Sequence, residues 1–255
     1  MNKQSNTYTI LYSIVLVVVV AAALAFVSIS LKPVQQANIE IEKMSDILGS
    51  VGLYSAEKAP ADKDTYIKEQ YKKYITESFL VNDKGEKSGD PAMAFKVLNN
   101  LKAAFATDPK ERELPVFVSK NNEGKTNYIF PIYGAGLWGP VWGYIALNDD
   151  LNTISGAVFD HKSETPGLGA EIANSPFENQ FIGKSIFESD AFVGVKVTKG
   201  VGSSQGNDHA VDAISGGTIT SRAVESMVIG CLKAYEPYIM QSRAAVMAVD
   251  TTSVQ

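Results

Sequence analysis

Asp212-Ala213-Ile214-Ser215-Gly216-Gly217-Thr218 is a run of small and hydroxyl residues leading straight into an apolar helical pattern. Such a run suits a phosphate. Gly216 and Gly217 lack a Cβ, so the backbone can turn sharply and approach a ligand, and a helix starting behind them presents unpaired N–H groups and the positive end of its dipole. Thr218 places a hydroxyl at the bound group, a point for covalent attachment. Arg222, one helical turn further along, adds a positive charge. Taken alone, the string also reads as a Ser-Gly-Gly turn capping an ordinary helix.

Two more segments carry candidate chemistry. In His161-Lys162-Ser163-Glu164-Thr165-Pro166-Gly167-Leu168-Gly169, Pro166 fixes one φ angle while Gly167 and Gly169 permit unusual ones, so the loop can be shaped without bulky side chains. Gly134-Ala135-Gly136-Leu137-Trp138-Gly139 precedes an apolar run, and both tryptophans, Trp138 and Trp142, fall here. A plain surface turn explains the first segment equally well, and core packing is the commoner fate of a Trp. His161 with Glu164 offers an acid–base pair and Asp149-Asp150 a cation site, although both patterns are ordinary on surfaces. Two histidines and one cysteine cannot furnish a four-cysteine iron–sulfur cluster or a standard zinc site. Gly134, Gly136 and Gly139 have Gly-x-Gly-x-x-Gly spacing, but the run that follows at 141–147 reads as a strand rather than a helix, so no nicotinamide site is visible. Neither a metal ligand nor a catalytic residue is assigned.

The three segments together resemble those of one family. Asp212, Ser215, Gly216 and Thr218 match the flavinylation motif Asp-x-x-(Ser/Thr)-Gly-Ala-(Ser/Thr), in which the last hydroxyl residue carries FMN through a phosphoester bond; Gly217 stands where the family usually has Ala. Glu164 to Gly169 resembles the Glu-Thr-Pro-Gly-Leu-Gly loop of FMN-binding domains, and Gly134 to Trp138 their Gly-x-Gly-Leu-Trp segment. The resemblance implies FMN held covalently on Thr218 in a pocket of Thr165, Leu168, Gly169, Ser215, Gly216, Gly217, Trp138 and Arg222. It implies that Asp212 is recognised by a flavin transferase. On this reading the chain holds an electron carrier that the protein tunes and positions.

Residues 10–31 hold no charge and only Tyr12, Ser13, Ser28 and Ser30 as polar interruptions. A helix of that length is roughly 33 Å long, enough to cross a ~30 Å hydrocarbon core, and Pro33 is expected to stop it. Ala21-Ala22-Ala23-Leu24-Ala25 offers small residues for signal cleavage, but the apolar run exceeds the usual ~7–15 residue signal core. Lys3 before the run and Lys32 and Lys43 after it give almost no positive-inside bias. Topology therefore comes from the resemblance, which implies a bacterial inner membrane with the flavin domain on the periplasmic side. Cys231 lies on the apolar face Val224, Met227, Val228, Cys231, Leu232, Tyr235 and is expected to be buried.

With 255 residues and a net charge of −5, the remainder can form one substantial domain. A pI near 5.2 and the lack of a basic patch argue against nucleic acid. An amphipathic helix through Ile39, Ile41, Met44, Ile47 and Leu48 is expected to end at Gly49 and Gly52. Tyr66, Ile67, Tyr71, Tyr74, Ile75 and Phe79 continue at helical spacing, and Phe95, Leu98, Leu101 and Phe105 suggest another helix. Strands are expected at 116–119, 128–132, 141–147, 154–159 and 192–198, with a turn at 121–124 and a closing helix at about 220–238. Gly, Asn and Asp between the strands favour antiparallel connections. The organisation is then a cytoplasmic segment 1–9, a transmembrane helix 10–31, a helical lead-in 32–109, an α+β FMN-binding domain 110–243, mainly an antiparallel sheet with flanking helices, and a flexible tail 244–255.

One transmembrane helix plus a threonine-attached FMN domain resembles the C subunit of the Na⁺-translocating NADH:quinone oxidoreductases. Chain length together with Lys32-Pro33, Ile39 and Ile47-Leu48-Gly49-Ser50-Val51-Gly52-Leu53 looks more like that family than like its relative, the G subunit of Rnf-type ferredoxin:NAD⁺ complexes. The resemblance implies a chain that passes electrons within a multi-subunit membrane complex, alongside other subunits and membrane lipid. The alternatives are the Rnf-type protein and a membrane-anchored binding module without redox function.

Overall fold

The computed structural model describes residues 6–55 and 60–252, with side chains as far as residue 245. Lys3, the first five residues of the expected cytoplasmic segment and the last three of the expected tail lie outside the described residues. The chain divides into two compact units, Met1–Lys43 and Met44–Gln255.

Helix α1 runs from Asn6 to Gly49. Its most apolar 18-residue window has a mean hydropathy of 3.0, none of it is buried, and it is long and apolar enough to cross a membrane. Ser30 Oγ donates to the Phe26 carbonyl at 2.8 Å, so this hydroxyl carries no unpaired donor. Contrary to expectation, Pro33 does not end the helix. A proline removes one backbone donor at a cost of about 3 kcal/mol, and the good helix formers around it carry the helix on.

The second unit begins with the last residues of α1, where Ile47 and Leu48 are fully buried. Leu53 N–H donates to the Leu48 carbonyl at 2.9 Å, and Gly52, with φ 70°, makes the left-handed turn that closes the helix. Helix α2, Lys63–Tyr74, is capped by Asp62 and gives way to strand β1, Ile75–Val81. The expected helix through Phe79 is thus corrected. Phe79 and Val81 pack on one face and Leu80 on the other, a period of two that fits these residues as well as the helical spacing does. Pairing of Phe79 with Val116 decides the outcome.

Strand β2, Lys87–Ser88, completes a hairpin. The expected helix through Phe95 and Phe105 is two helices: α3, Pro91–Leu98, capped by Asp90, and α4, Leu101–Ala106. Asn99 and Asn100, poor helix formers, separate them. Strands β3 (Leu114–Lys120), β4 (Thr126–Ala135), β5 (Pro140–Leu147) and β6 (Ile154–His161) follow. They complete one antiparallel sheet in the order β2-β1-β3-β4-β5-β6. The sheet therefore draws a strand from the region expected to be a helical lead-in.

After β6 come the single turn α5 (Ser175–Glu178) and the short strands β7 (Phe187–Glu188) and β8 (Ala191–Phe192). Strand β9 (Lys196–Thr198) pairs in parallel with β10 (Ala210–Asp212). The single strand expected at 192–198 is broken at Gly194, whose φ is 66°. Helix α6 runs from Thr218 to Thr252, past Pro237 and into the expected tail.

The sheet is buried on both faces. Val116, Val118, Phe130, Ile132 and Ile145 face Val224, Met227, Val228, Leu232 and Tyr235 of α6. Phe117, Ile129, Tyr144 and Ala146 face Ile47 and the α3–α4 pair. Each such Val, Leu, Ile, Phe or Met side chain contributes roughly 1.5–3 kcal/mol on burial. Cys231 is buried, its Sγ donating to the Tyr133 carbonyl at 3.3 Å.

Candidate functional site

The β4–β5 hairpin, the loop after β6 and the start of α6 meet at one end of the sheet. Ala135 pairs with Pro140 and Val141 with His161, so the ladder brings the hairpin turn and the end of β6 side by side. The turn is closed by Gly136 N–H donating to the Gly139 carbonyl at 2.7 Å. Ser163 Oγ donates to the Trp138 carbonyl at 3.0 Å and fixes the loop against the turn. Within the loop, Leu168 N–H and Ala170 N–H both donate to the Thr165 carbonyl at 3.1 Å, and Gly167 takes φ 74°.

The α6 start is equally constrained. Gly216 has φ 76°, and Gly217 N–H donates to the Ile214 carbonyl at 3.1 Å, a tight turn directly before Thr218. Ser221 Oγ donates to the Gly217 carbonyl at 2.8 Å and accepts from Ile214 N–H at 3.0 Å, pinning the turn to the helix. The first helical hydrogen bond runs from Ser221 N–H to the Gly217 carbonyl. The amides ahead of Ser221 therefore lie at the open end of the helix.

These segments enclose a cavity of about 470 Å³. Thr218, Thr165, Leu168, Gly169, Gly216, Gly217 and Trp138 line it. Ser215, Arg222 and Asp212 are placed elsewhere: Ser215 and Arg222 are exposed to solvent, and Asp212 binds the loop of residues 200–206. Leu137, Ile219, Thr220 and Glu164 complete the lining. Leu137 and Ile219 adjoin expected residues and Thr220 follows two positions after Thr218, so proximity in sequence was their one signal. Glu164 adjoins Thr165 and opens the matched loop, but its burial as a carboxylate bonded to Trp138 and Thr220 is set by the fold and had no signal in the sequence.

The expected pairing of Glu164 with His161 takes a different form. Glu164 N–H donates to His161 Nδ1 at 3.2 Å, while the carboxylate accepts from Trp138 N–H at 2.9 Å and Thr220 Oγ1 at 2.7 Å. Burial alone would raise the Glu164 pKa; the Thr220 hydroxyl and the amides of Trp138, Gly139 and Leu137 overcome this and hold it below the usual range. Asp150 accepts from the amides of Asn152 and Thr153, both at 2.9 Å, and from Thr153 Oγ1 at 2.6 Å. It closes a turn, and no cluster of potential metal ligands occurs among the described residues.

The donor set suits a phosphate-bearing aromatic ligand such as FMN. A helix N-terminus with a threonine hydroxyl accommodates the phosphate, and Leu137, Trp138 and Leu168 supply apolar surface for flat rings. Space is kept by glycines: a Cβ on Gly216 would stand 2.6 Å from Leu168 Cδ2, and one on Gly169 2.7 Å from Glu164 Oε2. A second cavity, about 720 Å³, lies between the turn after α1 and β6. Asp46, Asp160 and Glu178 line that one, an acidic wall ill suited to an anion.

Fold and site define an FMN-binding domain, and residues 136–233 match the family of that description. The same assignment is reached along the whole chain. The C subunit of the Na(+)-translocating NADH-quinone reductase from Pasteurella multocida is 32% identical over 96% of this chain and 98% of its own length; the Neisseria meningitidis serogroup B protein of that name is 28% identical over 96% and 97%. The crystal structure of the same reductase subunit from Parabacteroides distasonis superposes with a TM-score of 0.70 at 40% identity, covering 82% of this chain and 96% of that one. Shewanella oneidensis NqrC gives 0.64 at 25% identity, covering 81% and 99%. The chain belongs to the family of C subunits of the Na(+)-translocating NADH-quinone reductase.

Proposed function

We propose that the chain carries FMN through a phosphoester bond to Thr218 Oγ1 and passes electrons within a membrane Na⁺-translocating NADH:quinone oxidoreductase. The observation that carries the reading is the position of Thr218: a hydroxyl on the first residue of α6, behind the Gly216–Gly217 turn, lining a cavity with apolar walls. The helix end neutralises phosphate charge and the covalent bond prevents loss of the flavin. Bound FMN supplies one- or two-electron chemistry. The protein's part is to anchor it, with Thr165, Leu168, Gly169 and Trp138 at the flavin and Gly216 and Gly217 admitting the phosphate. Ser215 and Arg222 act from outside the cavity, Arg222 as a nearby positive charge. A flavin transferase recognises the segment from Asp212 to Thr218. NADH is oxidised elsewhere in the complex, and α1 holds the domain at the periplasmic face of the inner membrane.

Mass spectrometry with fragmentation tests this on the tryptic peptide of residues 200–222, from protein purified from its native membrane. The expected result is FMN less one water on Thr218. An unmodified peptide, or the added mass on Ser215, Thr220 or Ser221, overturns the attachment.

A further inference from the structure

Glu164 is only 4% exposed and stands where the three segments of the site meet. Its two oxygens accept from Trp138 N–H, 26 positions before it, and Thr220 Oγ1, 56 positions after it, joining the β4–β5 turn to the first turn of α6. Side chains are cleared around it. A Cβ on Gly136 would lie 2.5 Å from Oε1, and one on Gly169 2.7 Å from Oε2. Neither ion pair among the described residues includes Glu164. Its charge is thus held by hydrogen-bond donors without a neutralising cation, beside the cavity that Thr218 also lines.

We infer that Glu164 is a positioning residue that ties the Trp138 turn to the start of α6, and that its fixed negative charge holds down the reduction potential of the flavin on Thr218. The inference rests on the proposed attachment of FMN. Reduction brings negative charge into the site, and a nearby anion disfavours each added electron. Removing one unit charge from the edge of a partly buried site changes the ratio of oxidised to reduced flavin, at a fixed ambient potential, by roughly tenfold.

Glu164→Gln separates charge from shape. The Gln carbonyl oxygen still accepts from Trp138 N–H, and its amide can donate to Thr220 Oγ1, which reverses role. Thr220→Val and Glu164→Asp keep the charge and disturb the geometry. Spectroelectrochemical titration of the full-length flavinylated chain and these variants is the test. Glu164→Gln is expected to shift the potential upward by the equivalent of about tenfold, while Thr220→Val and Glu164→Asp stay at or below wild type. Flavinylated Glu164→Gln at the wild-type potential overturns the inference alone. An equal rise in Thr220→Val or Glu164→Asp does the same, because geometry rather than charge would then set the potential. Should Glu164→Gln not load flavin, the two charge-keeping variants decide by the same criterion: both at or below wild type supports the inference, and a rise in either overturns it. A wild-type chain with no FMN on Thr218 instead overturns the attachment itself, and the inference with it.

Discussion

The Asp212 carboxylate accepts from Ser204 N–H at 2.8 Å and from Ser203 Oγ at 3.2 Å, and it closes the loop that leads into its own strand. Gly200, Gly202 and Gly206 in that loop have φ of 108°, 78° and 74°, so the loop has many unfolded conformations to lose and needs an anchor. Hydrogen bonds from the Ser204 side chain and the Gly202 amide hold the Asp212 carboxyl below the usual carboxylate range. A carboxyl whose pKa is depressed on folding stabilises the protein above its unfolded value of about 3.9, and this contribution is lost as pH falls through the folded value. Asp212→Asn is therefore expected to lower Tm at pH 7, with the gap to wild type narrowing as pH drops below about 4. Thermal melts across that range check it; a constant gap removes the loop anchor from the account of Asp212.

Gly216 and Gly217 separate two kinds of glycine requirement. Gly216 has φ 76°, a conformation strained for any residue with a Cβ, and a Cβ there would also push the Leu168 side chain aside. Gly217 has no such φ, and a Cβ there would meet Ile214 Cγ2 at 3.0 Å and the Leu168 carbonyl at 3.1 Å, contacts that relax with a shift of a few tenths of an ångström. Gly216→Ala is expected to cost about 1–3 kcal/mol in urea denaturation and to reduce flavinylation. Gly217→Ala, which installs the residue the family usually has, should stay within about 1 kcal/mol of wild type and keep its flavin. Equal losses in the two variants would contradict this distinction.

Much of the site was legible because its chemistry is written in short strings. The Gly-rich turn, the Thr165–Gly169 loop and Trp138 carry their conformational reasons locally, and the strands β3 to β6 alternate or run apolar between clear turn residues. What stayed hidden depends on tertiary pairing. Residues 75–81 satisfy both a helical and a strand period, and the choice is made by pairing with β3, a strand distant in sequence. Arg222 illustrates the same limit, since one helical turn past Thr218 is near in sequence but outside the cavity lining. Pro33 and Pro237 lie within helices because a proline weakens a helix without forbidding it.

Trp138 is 67% exposed at the cavity and Trp142 is the chain's other tryptophan. A flavin on Thr218 should quench the Trp138 ring by lying beside it. Flavinylated wild type is expected to show weaker tryptophan emission than Thr218→Ala, because Trp138 lines the cavity. The difference should shrink when both chains also carry Trp138→Phe. An undiminished difference in that background would mean that Trp138 does not lie beside the flavin.

Tyr235 shows how the platform beneath the site is held. Its hydroxyl, fully buried, reaches both the Pro131 carbonyl at 2.9 Å and the Pro115 carbonyl at 3.1 Å, linking α6 to β4 and β3. Its ring meets Phe130 edge to face at a centroid distance of 5.0 Å. Tyr235→Phe keeps the ring and removes the donor, leaving a buried site with less hydrogen bonding; the expected loss is about 1–2 kcal/mol, or roughly 2–8 °C in Tm. Tyr235→Ala adds a cavity and should cost about 3–5 kcal/mol. The ring does not line the flavin cavity, so Tyr235→Phe should retain full flavinylation while melting earlier. A Phe variant as stable as wild type would mean that ring packing alone secures α6 to the sheet, and loss of flavin from it would mean that the hydroxyl governs the geometry of Thr218 from the far side of the core.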